Sequence, residues 1–207
     1  MLKTACWQAF GVFITLLTVN CINYGSGAIE ISSATTTNSC GSDCRIFITT
    51  SFFPGNLSGV TGADERCRND SANPAPGRLW KAMISSAPRR RACSTPNCSI
   101  NGVGENVDWA LKPNTIYRRS GGTAIGTTNG NAIFTSQLEN SIGTTSIYAW
   151  TGLSANWQDT GMSCSAWIEN TGGVLGTVGD SLSPHSNAIN ITAYTCSAAA
   201  PLYCVEQ

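Results

Sequence analysis

The chain has 207 residues, of which 12% are charged, with twelve basic against twelve acidic side chains and a formal net charge of zero. A typical globular protein carries about 25% charged residues, and without an excess of either sign there is no overall pull toward nucleic acid or a membrane surface. The remainder, rich in Gly, Ser, Thr and Asn with scattered apolar residues, predicts short strands and many turns in one domain with accessory segments.

The N-terminus reads as an export signal. Lys3 precedes an uncharged run from Thr4 to Val19 rich in Phe, Val, Ile and Leu. A membrane span needs about 20 residues, so this run fits the apolar region of a signal peptide. Two exits follow. "LTVNC" sets Cys21 directly after the run, as in a loose bacterial lipobox from which Thr18 departs; residues 1–20 are then the signal and Cys21 is lipidated. Alternatively, Ser26-Gly27-Ala28 offers small residues for ordinary cleavage, giving a signal of 1–28. Both exits leave eight of the ten cysteines, Cys40, Cys44, Cys67, Cys93, Cys98, Cys164, Cys196 and Cys204. An even number suits disulfides in an oxidising compartment. The expected location is the cell surface or outer membrane as a lipoprotein, or the exterior as a secreted protein.

Residues 21–44 are polar and read as a tether; the folded domain is expected over 45–207. "RIFITTS" from Arg45 alternates and is β-branched, as a strand should be. "GNLSGVTGADERC" reads as a turn-rich loop running into a short helix from Asp64 to Ala72, with Cys67 on its inner face and Pro74 and Pro76 ending it. "RLWKAMISS" and "VDWALK" read as the second and third strands, and Ser120 to Asn131 as loop or hairpin. "IYAWTGL" and "SCSAWIEN" look like strands flanking a turn at Asp159-Thr160-Gly161, and "LYCVEQ" like a last strand. The pattern predicts an α+β fold with mostly antiparallel strands.

Trp150-Thr-Gly-Leu153 is followed in order by Trp157, Cys164, Trp167, Cys196 and Cys204-Val-Glu206. This series resembles the C-type-lectin-like fold, in which such tryptophans are core. "GVTGADERCRNDSANPAPGRLWKAMISS", "RRRAC" and "PLYCVEQ" resemble segments of endostatin, a C-type-lectin-like module. In combination, over Arg45 to Gln207, they resemble the leptospiral endostatin-like family of surface proteins. That resemblance implies binding rather than catalysis: adhesion to host matrix proteins such as laminin and fibronectin, with complement regulators or plasminogen as further partners. It also implies the disulfides Cys67–Cys204 and Cys164–Cys196. The short turn "STPN" points to Cys93–Cys98, and Cys40–Cys44 is left by elimination.

Departures from the pattern matter too. The Glu-Pro-Asn or Gln-Pro-Asp and Trp-Asn-Asp triplets that cluster oxygens around calcium in sugar-binding C-type lectins do not occur. The sole histidine, His185, sits in "SLSPHSN", so neither a metal site nor any other cofactor is expected. The acidic residues are scattered, no phosphate-cradling loop carries its Lys-Ser/Thr, and an enzyme is not expected. The candidate binding residues are basic: Arg89, Arg90 and Arg91, with Arg78 and Lys81 before them and Arg118 and Arg119 after. Guanidinium forks of this kind suit sulfated glycans or acidic protein surfaces. The expected function is a surface adhesin, with a glycan-binding or structural envelope module as the alternative.

Overall fold

The computed structural model describes residues 39–135 and 137–207. The expected signal peptide, Cys21 and the expected tether up to residue 38 lie outside the described residues. Among the described residues the fold is α+β, with short strands, two α-helices and four disulfides.

Among the described residues eight strands form two sheets. They are β1 (Asp43–Ile48), β2 (Trp80–Ala82), β3 (Ile116–Arg118), β4 (Ala124–Thr127), β5 (Tyr148–Trp150), β6 (Leu175–Asp180), β7 (Thr192–Thr195) and β8 (Tyr203–Glu206). The larger sheet has the order β2-β8-β1-β3-β4 and the smaller β5-β6-β7. The β1–β3 pair is parallel and the other pairs are antiparallel. β1 and β8 thus bring the two ends of the folded chain together in the middle of the larger sheet. β1 starts at Asp43, before the expected Arg45, and the Cys40 amide donates to the Gln207 carbonyl.

The larger sheet buries both faces. Ile46, Val205, Tyr203 and Tyr117 join one core with Trp109, Phe134 and Trp157. Phe47, Cys204, Ala82 and Trp80 join the other with Trp150, Trp167 and helix α1 (Gly59–Asn69). Alternation along β1 and β8 divides the two sets, since successive strand residues point to opposite faces. All five described tryptophans are buried. Trp150 and Trp167 pack edge to face with centroids 5.8 Å apart, both in the core as the resemblance implies.

Several elements differ from their sequence reading. Helix α1 begins at Gly59 rather than Asp64, because burying Gly59, Ala63 and Cys67 along one side outweighs the weak helix propensity of the glycines. It stops at Asn69 rather than Ala72, since the Asp70 carboxylate accepts the amides of Thr50, Ser51 and Ala72 and folds the chain away. "VDWALK" is not a strand: Val107 makes one isolated bridge to Arg91, and Asp108, at φ 44°, ends the extension. "SCSAWIEN" instead contains α2 (Cys164–Trp167), a single turn whose four residues have φ between 49° and 63°. Left-handed backbone costs about 1–2 kcal/mol per residue. The Cys164–Cys196 link and the buried Trp167, whose Nε1 donates to the Ser85 carbonyl at 2.9 Å, hold the turn there.

Strand β6 was not expected because "GGVLGTVGD" is glycine-rich. Its glycines are required by close packing: a Cβ on Gly176 would lie 2.7 Å from the Trp150 ring, and one on Gly179 2.0 Å from the Ala188 carbonyl oxygen.

The cysteines pair Cys67–Cys204, Cys164–Cys196, Cys93–Cys98 and Cys40–Cys44. The first ties α1 to β8 and the second ties α2 to the segment after β7. Four disulfides suit an oxidising, extracytoplasmic environment. Among the described residues no helix is long and apolar enough to cross a membrane.

Candidate functional site

The strand register sets Trp80, Glu206, Arg45 and Arg118 in one row across β2, β8, β1 and β3. Glu206 is the centre of this row. Its side chain is 2% exposed and accepts from Arg45 Nε and Nη2 at 2.8 Å each, and from Arg78 Nε at 3.0 Å. The Arg45 guanidinium also lies 5.9 Å from the Trp80 ring centroid. Burial alone would push the Glu206 carboxyl up; the hydrogen bonds from Arg45 and the charges of Arg45 and Arg78 reverse this and hold it below the ordinary range.

A second chain of charges seals the edge of the sheet. β2 is an edge strand, and its Ala82 amide donates to Asp64 while its Ala82 carbonyl accepts from Arg90. Arg90 forks onto Asp64 at 2.7 and 2.8 Å and reaches Asp108 at 2.5 Å; Lys81 completes the chain on Asp108 at 2.6 Å. Burial pushes the Arg90 guanidinium down, and Asp64 and Asp108 more than reverse it. Edge strands need such covering of their free backbone groups.

The structure therefore sorts the predicted basic residues. Arg90 is 1% exposed and structural, a correction to its place in an exposed patch; burying a guanidinium takes carboxylate partners, which α1 and Asp108 supply. Arg89 is exposed and has no ion-pair partner among the described residues. Arg91 is partly exposed, with Nε on the Glu105 carbonyl. Arg119 is turned onto the Ser141 carbonyl, away from the row. Arg118 pairs with Asp43 at 3.0 Å and joins the row opposite Arg45, while Arg78 joins it through Glu206.

Two members were missed from sequence, Arg45 and Lys112. Arg45 was legible only as the start of a strand. Burial lowers the Lys112 ammonium pKa; the Glu206 charge opposes this, and the charges of Arg78 and Lys81 add to the lowering. Among the described residues Arg45 Nη1 and Arg118 Nη2 have no protein acceptor, and guanidinium N–H groups pair well with carboxylate or sulfate oxygens.

Glu105 was also missed. It is 4% exposed and accepts from the Ser94 and Thr95 amides and hydroxyls and from the Ile100 and Asn101 amides, at 2.6–3.2 Å. Burial pushes this carboxyl up, but the hydrogen bonds hold it well below the usual carboxylate range. Only the Ser-Thr pair eleven residues upstream hinted at such a cradle. His185 is exposed, and among the described residues no three His, Cys, Asp or Glu side chains are grouped to hold a metal ion.

Residues 50–183 match a family described as a protein of unknown function, DUF1554. The chain belongs to this family. The DUF1554 span runs from the end of β1 through β6 and includes Arg78, Lys81, Arg89, Arg90, Arg91, Arg118 and Arg119, but not Arg45 or Glu206. No curated protein matches the chain.

Proposed function

We propose that the protein is an exported surface adhesin with an endostatin-like, C-type-lectin-like fold that binds host matrix proteins. The observation that carries this reading is the nested pair Cys67–Cys204 and Cys164–Cys196 around the packed Trp150 and Trp167. This is the pairing and the core that the resemblance to the leptospiral endostatin-like family implies. The joining of β1 to β8, which puts the start of the domain beside its end, supports it further. Laminin and fibronectin are the first partners in this reading; complement regulators and plasminogen are further ones that the resemblance implies, and sulfated glycans carry the anionic groups that exposed guanidinium groups recognise. The contact surface is the open edge of the charged row with Arg118, and Arg89 on its turn. A lipid anchor at Cys21 would hold the domain at the cell surface.

The test is solid-phase binding of the purified protein to laminin, fibronectin and heparin. Binding is expected to fall between low and physiological salt, because exposed charges are screened. Arg89→Ala combined with Arg118→Ala is expected to weaken it while leaving the thermal midpoint nearly unchanged. No binding to any of the three at low salt overturns the adhesin reading. Salt-independent binding that the double variant retains overturns the contact surface alone.

A further inference from the structure

The four disulfides differ in what can reach them. Among the described cysteines only Cys40 is partly exposed; the other seven are no more than 1% exposed. Thiol–disulfide exchange begins when a thiolate reaches one sulfur of the bond, so access selects which bond reacts. Loop length does not make this selection. Cys40–Cys44 and Cys93–Cys98 join residues 4 and 5 apart in sequence, yet both sulfurs of the second are enclosed and one sulfur of the first is not. The Cys67–Cys204 and Cys164–Cys196 bonds lie inside the tryptophan core, where no thiol enters the folded chain.

Charge separates the bonds a second time. Lys112 Nζ lies 3.5 Å from Cys40 Sγ and is steadied by a hydrogen bond to Ser39 Oγ at 3.0 Å. The side-chain group on a sulfur of Cys93–Cys98 is a neutral amide, Asn106 Nδ2, 3.8 Å from Cys98. An ammonium beside a sulfur favours the thiolate over the thiol. Lys112 therefore draws an attacking thiolate toward Cys40 and stabilises Cys40 when it is later released as an anion. The backbone holds Lys112 in place: its amide donates to the Tyr117 hydroxyl at 2.8 Å, and its carbonyl accepts from the Thr128 hydroxyl at 2.6 Å. Cys44, fully buried in β1, is the sulfur that departs in the first step.

We propose that Cys40–Cys44 is a thiol-exchange site, at which a low-molecular-weight thiol adds to Cys40 while the other three disulfides stay closed. The small thiol gives up its proton and its sulfur bonds to Cys40 Sγ. The Cys40–Cys44 bond breaks, and its electron pair leaves on Cys44 Sγ, which takes a proton from water. A second molecule of the thiol then attacks the added sulfur and releases Cys40 as a thiolate beside Lys112. Two small thiols are oxidised to their disulfide, and the protein bond is reduced to two thiols. The fold persists through both steps, since Cys44 stays in β1 and the bond from the Cys40 amide to the Gln207 carbonyl, at 2.8 Å, does not need the disulfide. The exchange does not depend on the adhesin reading, whose test reads binding to matrix proteins instead.

The experiment treats the purified protein with graded glutathione, traps free thiols by alkylation, and maps every cysteine by peptide mass spectrometry. Near-ultraviolet circular dichroism checks that the fold is kept. Glutathione is expected on Cys40 and the alkyl label on Cys44 before any of the other six cysteines reacts. Lys112→Met is expected to slow the addition about fivefold, the effect of one partly exposed charge on a barrier, and Lys112→Arg to keep most of the rate. The wild-type rate is expected to fall as salt rises, because the ammonium is screened, and the Lys112→Met rate to stay level, which a loss of packing alone would not produce. Labelling that starts at Cys93 and Cys98, or that reaches all eight cysteines together, overturns the proposal. A folded Lys112→Met protein that reacts at the wild-type rate overturns the part given to Lys112.

Discussion

Glu206 and Glu105 are both buried carboxylates held below their ordinary pKa, and they are satisfied in opposite ways. Glu206 is met by guanidinium groups from β1 and from the segment before β2, 161 and 128 residues away in sequence. Glu105 is met by amides and hydroxyls four to eleven residues away, all in its own loop. The first carboxylate joins distant elements and makes the terminal sheet one unit. The second shapes a single loop and leaves the rest of the fold indifferent to it. Charge pairing across the sheet and hydrogen bonding within the loop should therefore fail differently when perturbed.

The disulfides follow the same divide and set the largest expected effect. Replacing Cys67 and Cys204 by Ser opens a link between residues 137 apart in sequence and should cost about 5 kcal/mol by the chain-entropy relation. The same change at Cys93 and Cys98, 5 apart, should cost about 2 kcal/mol. Urea unfolding of the two double variants compares them directly, and equal losses would erase the distinction between global and local braces.

Next comes the charge chain at the sheet edge. Arg90→Ala leaves Asp64 without its fork and the Ala82 carbonyl uncovered, at about 3–5 kcal/mol. Its exposed neighbour changes little: Arg89→Ala should stay within about 0.5 kcal/mol. The pair of unfolding curves separates the structural arginine from the surface one.

Glu206→Gln against Glu105→Gln sharpens the comparison itself. Amide hydrogen exchange is expected to rise across β1 and β8 in the first variant. In the second it should rise from Ser94 to Asn101 and not across β1 and β8, with a lowered thermal midpoint because buried donors lose their carboxylate acceptor. Acid should reproduce both patterns. Each carboxyl has a folded pKa below its unfolded value of about 4.5. The stability each contributes is thus complete above that value and is lost as pH falls through the folded pKa. Glu206 depends partly on arginines whose side chains are 32% and 36% exposed, so its loss should come earlier in high salt. The Glu105 loop, held by uncharged donors, should respond to pH but hardly to salt. Exchange measured against pH at two salt concentrations checks both.

The smallest effect belongs to the exposed pair at the end of the row. Arg118→Ala should change stability by no more than about 1 kcal/mol, since such pairs are worth little.

Much of the fold was legible in particular residues. The alternation of "RIFI" gave β1, the resemblance carried by the ordered tryptophans and cysteines implied a tryptophan core and the nested bonds, and "LYCVEQ" gave β8. The candidate site was legible only in part. Arg78 and Arg118 entered it from sequence, but Arg45, Lys112 and Glu105 did not, because what recruits them is a neighbour across the sheet or the cradle of a loop. β6 was hidden by Gly176 and Gly179, whose lack of a side chain weakens a strand pattern while permitting the packing against Trp150 and Ala188.

By itself the sequence determined an apolar run after Lys3, ten cysteines, a low-charge α+β pattern, and tryptophans numerous enough to demand a core. These rest on composition, alternation and motif order, all of which act locally along the chain. Only the tertiary structure decided which arginines are free. Within Arg89-Arg90-Arg91 three identical side chains meet three fates, because Asp64 and Asp108, 26 and 18 residues away, reach only Arg90. It also decided that "CSAW" turns left-handed, since Cys196 and the Ser85 carbonyl supply the bonds that offset the backbone strain. Long-range partners of this kind leave no periodic trace in a sequence, and burial appears only once they have met.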